Sequence, residues 1–81
     1  MHVLVVEDDE MLGKALRRGM EESGHDCDWV RNGARGLEHA ASQKFDAIVL
    51  DLMLPELSGL DVLKQLRRRG IQTPVRIPTA L

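Results

Sequence analysis

The sequence predicts an α/β fold in which four short parallel strands alternate with three helices, within a single domain over residues 1–81. Three observations support this fold class: apolar runs end directly on acidic residues, apolar residues recur at helical spacing between the runs, and turn-forming residues separate the segments. The composition, 43% hydrophobic and 30% charged, is typical of a folded globular domain. Strands that alternate with helices of this length favour a parallel sheet.

The first strand is predicted at residues 3–6, a mostly β-branched run without a polar residue, as expected for a strand covered on both faces. The helix after it is predicted to start at Asp9 and to stop at Gly24. Apolar and small residues recur along it at helical spacing, while charged residues take the other positions. These recurring residues are Leu12, Ala15, Leu16, Gly19 and Met20.

A second strand and a second helix repeat this arrangement. The strand is predicted at residues 26–30, and Asn32-Gly33 supplies a turn signal after it. The helix is indicated by Ala34, Leu37, Ala40 and Ala41. A third strand follows at residues 47–50, again an apolar run without alternation.

The third helix is predicted from an N-cap at Ser58 to Gly70, with Leu60, Leu63 and Leu66 at helical spacing. The fourth strand, residues 75–79, contains Arg76 and Pro78. Proline cannot donate to a sheet ladder, and a buried unpaired arginine is costly. We therefore expect this strand at an edge of the sheet, where both residue types are tolerated.

Acidic residues directly follow two of the predicted strands: Glu7 and Asp8 follow the first, and Asp51 follows the third. In an open parallel sheet, ligands bind beyond the carboxyl ends of the strands, where the strand order reverses. With the expected order 2-1-3-4 the three carboxylates converge, and their mutual repulsion favours a cation. Mg²⁺ is the predicted cation because it prefers oxygen ligands, and no Cys or His stands beside the acids to favour zinc. Asp9 is predicted instead to belong to the helix N-terminus.

Four segments, in this order, resemble the landmarks of bacterial two-component response-regulator receiver domains. They are Val5-Val6-Glu7-Asp8-Asp9, Val49-Leu50-Asp51-Leu52-Met53-Leu54-Pro55, Ser58-Gly59 and Thr79-Ala80. The resemblance covers essentially the whole chain, and Met53-Leu54-Pro55 is similar to regulators with a winged-helix DNA-binding output domain. It implies a flavodoxin-like (receiver) doubly wound sheet of order 2-1-3-4, truncated after the fourth strand and missing the fifth.

The resemblance also implies a role for each matching residue. Asp51 would accept a phosphoryl group from a sensor histidine kinase and so regulate an output such as transcription. Mg²⁺ would be held by Asp8, Asp51 and the backbone carbonyl of Met53, with Glu7 acting through water. Thr79 would contact the phosphoryl group and report phosphorylation. DNA would be reached only through an output domain that this chain lacks.

The first helix is the expected docking surface for the kinase in this family. Met11, Ala15 and Arg18 are placed near the acidic pocket and away from the core, although Ala15 also belongs to the apolar recurrence. An exposed Met11 would offer an apolar contact. The other interpretation is that Met11 packs under a loop. A homodimer is a further possible assembly.

There are two alternatives to a phosphoacceptor: one remains open, and the sequence argues against the other. Receivers carry a lysine after the fifth strand, and neither Lys44 nor Lys64 can take that role by motif. The chain could therefore be a truncated or degenerate receiver that only binds or dimerises. A metal-dependent hydrolase with an aspartyl nucleophile needs a second aspartate two residues later, where Met53 stands. We therefore expect no enzyme.

Charge and cysteine usage set the expected surroundings of the chain. A net charge of -2 gives no broad basic field, and the run of arginines at residues 67–69 is expected to sit at a helix C-terminus. The lone Cys27 suggests no disulfide framework, and the apolar run at the start is too short for a membrane span. A cytoplasmic location and no membrane contact are therefore expected.

Overall fold

The computed structural model describes residues 1–77, which form a parallel sheet with helices on both faces. The elements are β1 (His2–Val6), α1 (Glu10–Glu22), β2 (Asp26–Val30), α2 (Gly33–Ser42), β3 (Ala47–Leu50), α3 (Gly59–Arg68) and β4 (Val75–Arg76). The strands pair in the order β2-β1-β3-β4, and all three pairings are parallel. The predicted α/β class and the strand order 2-1-3-4 are thus confirmed.

The two faces of the sheet bury separate apolar clusters. On one face Leu4, Ile48 and Leu50 pack with residues of α2 and α3, among them Leu37 and Leu66. On the other face the buried residues are Val3, Val5 and Val49, and the partly buried Leu16, Met20, Cys27 and Trp29 pack against them. β1 and β3 face both clusters, which explains why their sequences are apolar without alternation.

Each helix begins at a side-chain cap. Asp9 accepts a hydrogen bond from the backbone N–H of Leu12 at 2.8 Å, and Asn32 accepts one from that of Arg35 at 2.9 Å. Ser58 caps α3 through the backbone N–H of Asp61 at 3.2 Å. The capping oxygens satisfy N–H groups that have no partner inside the helix. The expectation that Asp9 belongs to a helix N-terminus is confirmed.

Parts of the predicted helical stripes were wrong. In α1 Ala15 and Gly19 are exposed, so Leu16 and Met20 make the contacts with the sheet. In α3 Leu60 is 51% exposed, whereas Val62, which the leucine spacing did not include, is 1% exposed. The leucine spacing of three residues drifts around a helix of 3.6 residues per turn, so its first member rotates out of the core.

The fourth strand is short and lies at an edge of the sheet. Within residues 1–77, β4 pairs through Val75 and Arg76, opposite Ile48 and Val49 of β3. Arg76 is exposed there, which agrees with the expectation that this strand tolerates charge because it is an edge. Pro78 and Thr79 lie outside the described residues. No helix in residues 1–77 has the length and apolar character that crossing a membrane would require.

Candidate functional site

The structure brings three carboxylates together at the carboxyl ends of β1 and β3. In the sheet register Val6 lies opposite Leu50, so Glu7 and Asp51 are the first residues beyond two adjacent strands. The backbone N–H of Asp51 donates to the carbonyl of Val6 at 3.1 Å, which extends the pairing to the acidic residue itself. Carboxylate oxygens of Glu7, Asp8 and Asp51 all lie within 4.8 Å of one another.

Two of the three acidic residues are withdrawn from water. Glu7 is 2% exposed and Asp51 is 6% exposed, whereas Asp8 is partly buried. Oδ1 of Asp51 accepts the backbone N–H of Met53 at 3.1 Å. Oε2 of Glu7 is fully buried and finds no hydrogen-bond donor within residues 1–77. Burying an ionised carboxylate whose oxygen has no donor costs free energy, and a proton or a bound cation would reduce this cost.

The pKa of Glu7 reflects this situation. Burial raises the pKa of Glu7 from its ordinary value of 4.5 to about 7, helped by a hydrogen bond with Asp51 and by the charges of Asp51 and Asp8. The Asp8 backbone partly opposes this rise in the pKa of Glu7. In the absence of a cation, the Glu7 carboxyl group is therefore partly protonated near neutral pH.

These residues could hold a divalent cation. The donors are carboxylate oxygens, which are the ligands that Mg²⁺ prefers, and only one or two protein carboxylates are needed in such a site. A bound cation would interact favourably with the Glu7 oxygen that has no hydrogen-bond donor, and it would lower the raised pKa of Glu7. The donor set thus fits Mg²⁺, and Met53, the third predicted ligand residue, follows Asp51 by two positions in the loop after β3.

The loop after β3 is held close to the site by glycine. The backbone N–H of Gly59 donates to the carbonyl of Leu52 at 3.1 Å, and a Cβ at position 59 would overlap the carbonyl oxygen of Asp51. Only glycine permits this close approach of α3 to the residue at the strand end. Earlier in the same loop, Glu56 has a φ of 66°, a left-handed conformation that is uncommon outside glycine.

Two side chains at the end of β2 reach the backbone of the acidic pair. Nε1 of Trp29 donates to the carbonyl of Glu7 at 2.9 Å. The guanidinium of Arg31 donates twice to the carbonyl of Asp8, from Nε at 3.2 Å and from Nη2 at 2.7 Å. The sequence interpretation did not include either residue. Strand order places both residues beside the end of β1, because β2 is the other neighbour of β1, but no residue pattern indicates that their side chains bind main-chain carbonyls.

The remaining predicted site residues are not members of the acidic cluster, and one of them lies outside the described region. Met11, Ala15 and Arg18 all occupy an exposed face of α1, where they line a shallow groove, and the side chain of Met11 is 82% exposed. The alternative in which Met11 packs under a loop is therefore wrong. Thr79 lies outside the described residues, so its predicted contact with the phosphoryl group stays a prediction.

Known proteins resemble this chain along nearly its full length. Residues 3–81 match the family described as the response regulator receiver domain. The transcriptional regulatory protein QseB of Escherichia coli O157:H7 is 39% identical over 80 residues, and the response regulator PmrA of Pseudomonas aeruginosa is 41% identical over 80 residues. In both cases the match covers 99% of this chain and 36% of the relative, so the chain spans about a third of the length of these curated relatives.

Solved structures give the same result for the fold. The receiver domain of the Francisella response regulator 1452 superposes with a TM-score of 0.90 at 37% identity, over 94% of this chain and 63% of that one. The response regulator TrrA of Thermotoga maritima, solved in complex with Mg²⁺-BeF, gives a TM-score of 0.83 at 29% identity, over 94% and 64%. The chain therefore belongs to the response regulator receiver domain family of two-component systems.

Proposed function

We propose that this chain is a phosphoacceptor signalling domain in which Asp51 takes a phosphoryl group from a sensor histidine kinase. The convergence of Glu7, Asp8 and Asp51 at two adjacent strand ends carries the proposal, in a chain that belongs to the receiver family. The relatives are transcriptional regulators, so the proposed output is control of transcription through a winged-helix DNA-binding domain that residues 1–81 do not include. The chain acts in the cytoplasm as an acceptor rather than as an enzyme.

Asp51 is the proposed nucleophile because its carboxylate is fixed and partly desolvated. Its Oδ1 accepts the N–H of Met53, and its neighbours at the strand end restrict its position. An oxygen of Asp51 forms a bond to phosphorus while the bond between phosphorus and the kinase histidine nitrogen breaks. The electron pair of that bond leaves with the imidazole, and Asp51 becomes an acyl phosphate. A desolvated site strengthens the electrostatic interactions that stabilise this transfer.

The acidic cluster is the proposed Mg²⁺ site. Asp8, Asp51 and the backbone carbonyl of Met53 would hold the ion, and Glu7 would act through water. When bound, Mg²⁺ supplies positive charge that reduces repulsion between the Asp51 carboxylate and the incoming phosphoryl oxygens. The Mg²⁺-BeF complex of the Thermotoga maritima relative supports this assignment by analogy. Without a cation Glu7 holds a proton below about pH 7, since its pKa is raised to about 7.

The surface of α1 is the proposed kinase contact. Met11, Ala15 and Arg18 lie on one exposed face of this helix, which starts beside the acidic residues. An exposed methionine adapts its shape to an apolar partner surface, and the arginine adds a charge at the rim. Thr79 is proposed, from the family resemblance alone, to contact the phosphoryl group.

One experiment tests the phosphoacceptor proposal. The chain is incubated with Mg²⁺ and acetyl phosphate, and intact mass spectrometry counts added phosphoryl groups. We expect one group in the wild-type chain and none in Asp51→Ala. Asp46→Asn is the matched control, because Asp46 is exposed at the opposite edge of the sheet and should be phosphorylated like the wild type.

The possible results are distinct. An adduct that persists in Asp51→Ala would contradict the assignment of the acceptor. A wild-type chain that takes up Mg²⁺ but no phosphoryl group would support the alternative, a receiver that serves only as a binding or dimerisation module.

A further inference from the structure

The Glu7–Asp8 segment is held from the side of β2 by two side chains that the acidic chemistry itself does not require. Trp29 donates to the carbonyl of Glu7 at 2.9 Å, and Arg31 donates two hydrogen bonds to the carbonyl of Asp8. We infer that Trp29 and Arg31 are positioning residues that fix the backbone of Glu7 and Asp8 and thereby set the affinity of the acidic cluster for a divalent cation. This inference rests on the proposed function.

The placement of the two donors follows from the sheet. β2 pairs with β1 in parallel up to Val30 opposite Val6, and the N–H of Glu7 still donates to the carbonyl of Val30 at 3.0 Å. Trp29 belongs to β2 and Arg31 directly follows the last residue of this strand, and their side chains lie together, with the guanidinium of Arg31 over the Trp29 ring. The backbone of Glu7 is therefore held through its N–H and its carbonyl, and the carbonyl of Asp8 is held next to it.

The indole of Trp29 has little freedom to leave this position. It lies directly against Gly13 of α1, where an added Cβ would overlap the ring. The guanidinium groups of Arg17 and Arg31 lie over the ring, 5.6 and 5.9 Å from its centroid. Cations at this distance are attracted by the face of the ring, and the plane of Arg31 is thereby oriented for its two hydrogen bonds.

The effect of Arg31 on a cation has two opposite contributions, which makes the inference testable by its sign. The positive charge of the guanidinium repels a cation bound by Asp8, so by Coulomb's law removal of Arg31 should strengthen binding. The hydrogen bonds of Arg31 hold the backbone that presents Asp8, so their loss should weaken binding. A positioning role requires that the second contribution exceeds the first.

The first test measures the Kd for Mg²⁺ by calorimetry in the full 81-residue chain. We expect Arg31→Met to weaken binding about 10-fold, as is common when a group that supports a metal ligand is lost. Arg31→Lys keeps the charge and one donor, so we expect an intermediate Kd. Arg35→Met is the matched control: Arg35 lines a groove together with Trp29 and Arg31, and its side chain makes no hydrogen bond within the described part of the chain.

The second test moves the indole without altering a polar group. Gly13→Ala introduces a methyl group that displaces Trp29, so we expect weaker Mg²⁺ binding, by about 10-fold. Gly19→Ala is the control in the same helix, because among the described residues no atom outside the helix's own backbone lies within 4 Å of an added Cβ there. This control should bind Mg²⁺ as the wild type does.

A third readout needs no metal. Hydrogen exchange of the Glu7 amide, measured without Mg²⁺, should accelerate in Arg31→Met and Gly13→Ala and stay unchanged in Arg35→Met and Gly19→Ala. Unchanged exchange in all four variants, or tighter Mg²⁺ binding by Arg31→Met, would overturn the inference. If the wild type binds no Mg²⁺, the proposed function fails, and the exchange rates alone then decide whether Trp29 and Arg31 position the backbone.

Discussion

Acidic residues lie toward both ends of the parallel strands, which we call the amino-terminal edge and the carboxyl-terminal edge of the sheet. The surroundings of the two groups are opposite. At the amino-terminal edge, His2 contacts two acidic residues: its Nε2 pairs at 3.3 Å with Asp28, from the middle of β2, and its backbone N–H donates to Asp46 at 2.8 Å. These contacts are open to solvent, with side-chain exposures of 31% for His2 and 38% for Asp28. At the carboxyl-terminal edge, Glu7 and Asp51 are buried, and an oxygen of Glu7 has no donor in residues 1–77.

The difference supports the proposal that the carboxyl-terminal edge is the one that binds a cation. Acidic residues that remain hydrated or paired cost little free energy and contribute modestly to stability. Acidic residues that are buried together lower the free energy of unfolding. Their presence at this edge therefore favours a role as ligands over a role in stability. The predictions below test whether the two edges differ in this way.

The largest expected effect is a pH dependence of stability that originates at Glu7. In the metal-free folded protein the pKa of Glu7 is about 7, against 4.5 as its ordinary value, so the folded state binds more protons than the unfolded state between these pH values. The free energy of unfolding should therefore fall as pH rises from 4.5 to about 7. The loss attributable to this group should be up to about 3 kcal/mol.

Urea unfolding in the presence of a chelator, at several pH values, measures this effect. Glu7→Gln is neutral throughout, so the difference in stability between the wild type and this variant should follow the same pH range. Added Mg²⁺ should restore stability to the wild type at pH 8. A wild-type profile parallel to that of Glu7→Gln would contradict the prediction.

The next largest effect is expected at Gly59, beside the acidic edge. In Gly59→Ala the new methyl group meets the backbone of Asp51 and Leu52, which cannot rotate away as a side chain could. We expect a loss of about 2 kcal/mol in the free energy of unfolding, as for other overpacked sites. Gly19→Ala is the comparison: its methyl group has open space around it in the described part of the chain, and replacing an exposed helical glycine should stabilise by up to about 1 kcal/mol.

The smallest effect is expected at the amino-terminal edge. Asp28→Asn removes the charge that faces His2, and because both groups are substantially exposed, we expect a loss below about 1 kcal/mol. The variant should also bind Mg²⁺ with unchanged affinity, since Asp28 lies in the middle of β2 and its side chain faces His2, at the start of β1, rather than the acidic cluster. A loss as large as that of Gly59→Ala would show that this edge is under comparable constraint.

The sequence predicted those parts of the fold that depend on local patterns. β1 and β3 are apolar runs that end on acids, and Asp9 and Ser58 are capping residues followed by helical periodicity, so their positions could be read directly. The stripes were less accurate, because the exposure of Ala15 and Leu60 depends on how each helix rotates against the sheet. Tertiary packing determines that rotation, and no local pattern records it.

The same division applies to the site. The convergence of Glu7 and Asp51 could be predicted, because it follows from strand order and because adjacent parallel strands have their carboxyl ends on the same side of the sheet. The contacts of Trp29 and Arg31 with main-chain carbonyls could not, because a carbonyl acceptor has no residue-type signature. The need for glycine at position 13 could not be predicted either, because it depends on contact with an aromatic ring from another element.

Trp29 is the only tryptophan in the chain, and its indole N–H binds the carbonyl of Glu7. The ultraviolet emission of the protein therefore comes from a fluorophore attached by a hydrogen bond to the acidic segment. A change in that hydrogen bond alters the dipole around the excited indole and shifts the emission. Rapid mixing experiments could thus follow events at the carboxylates in real time with no added label, and the guanidinium charges of Arg17 and Arg31, which lie 5.6 and 5.9 Å from the ring centroid, would modulate the signal.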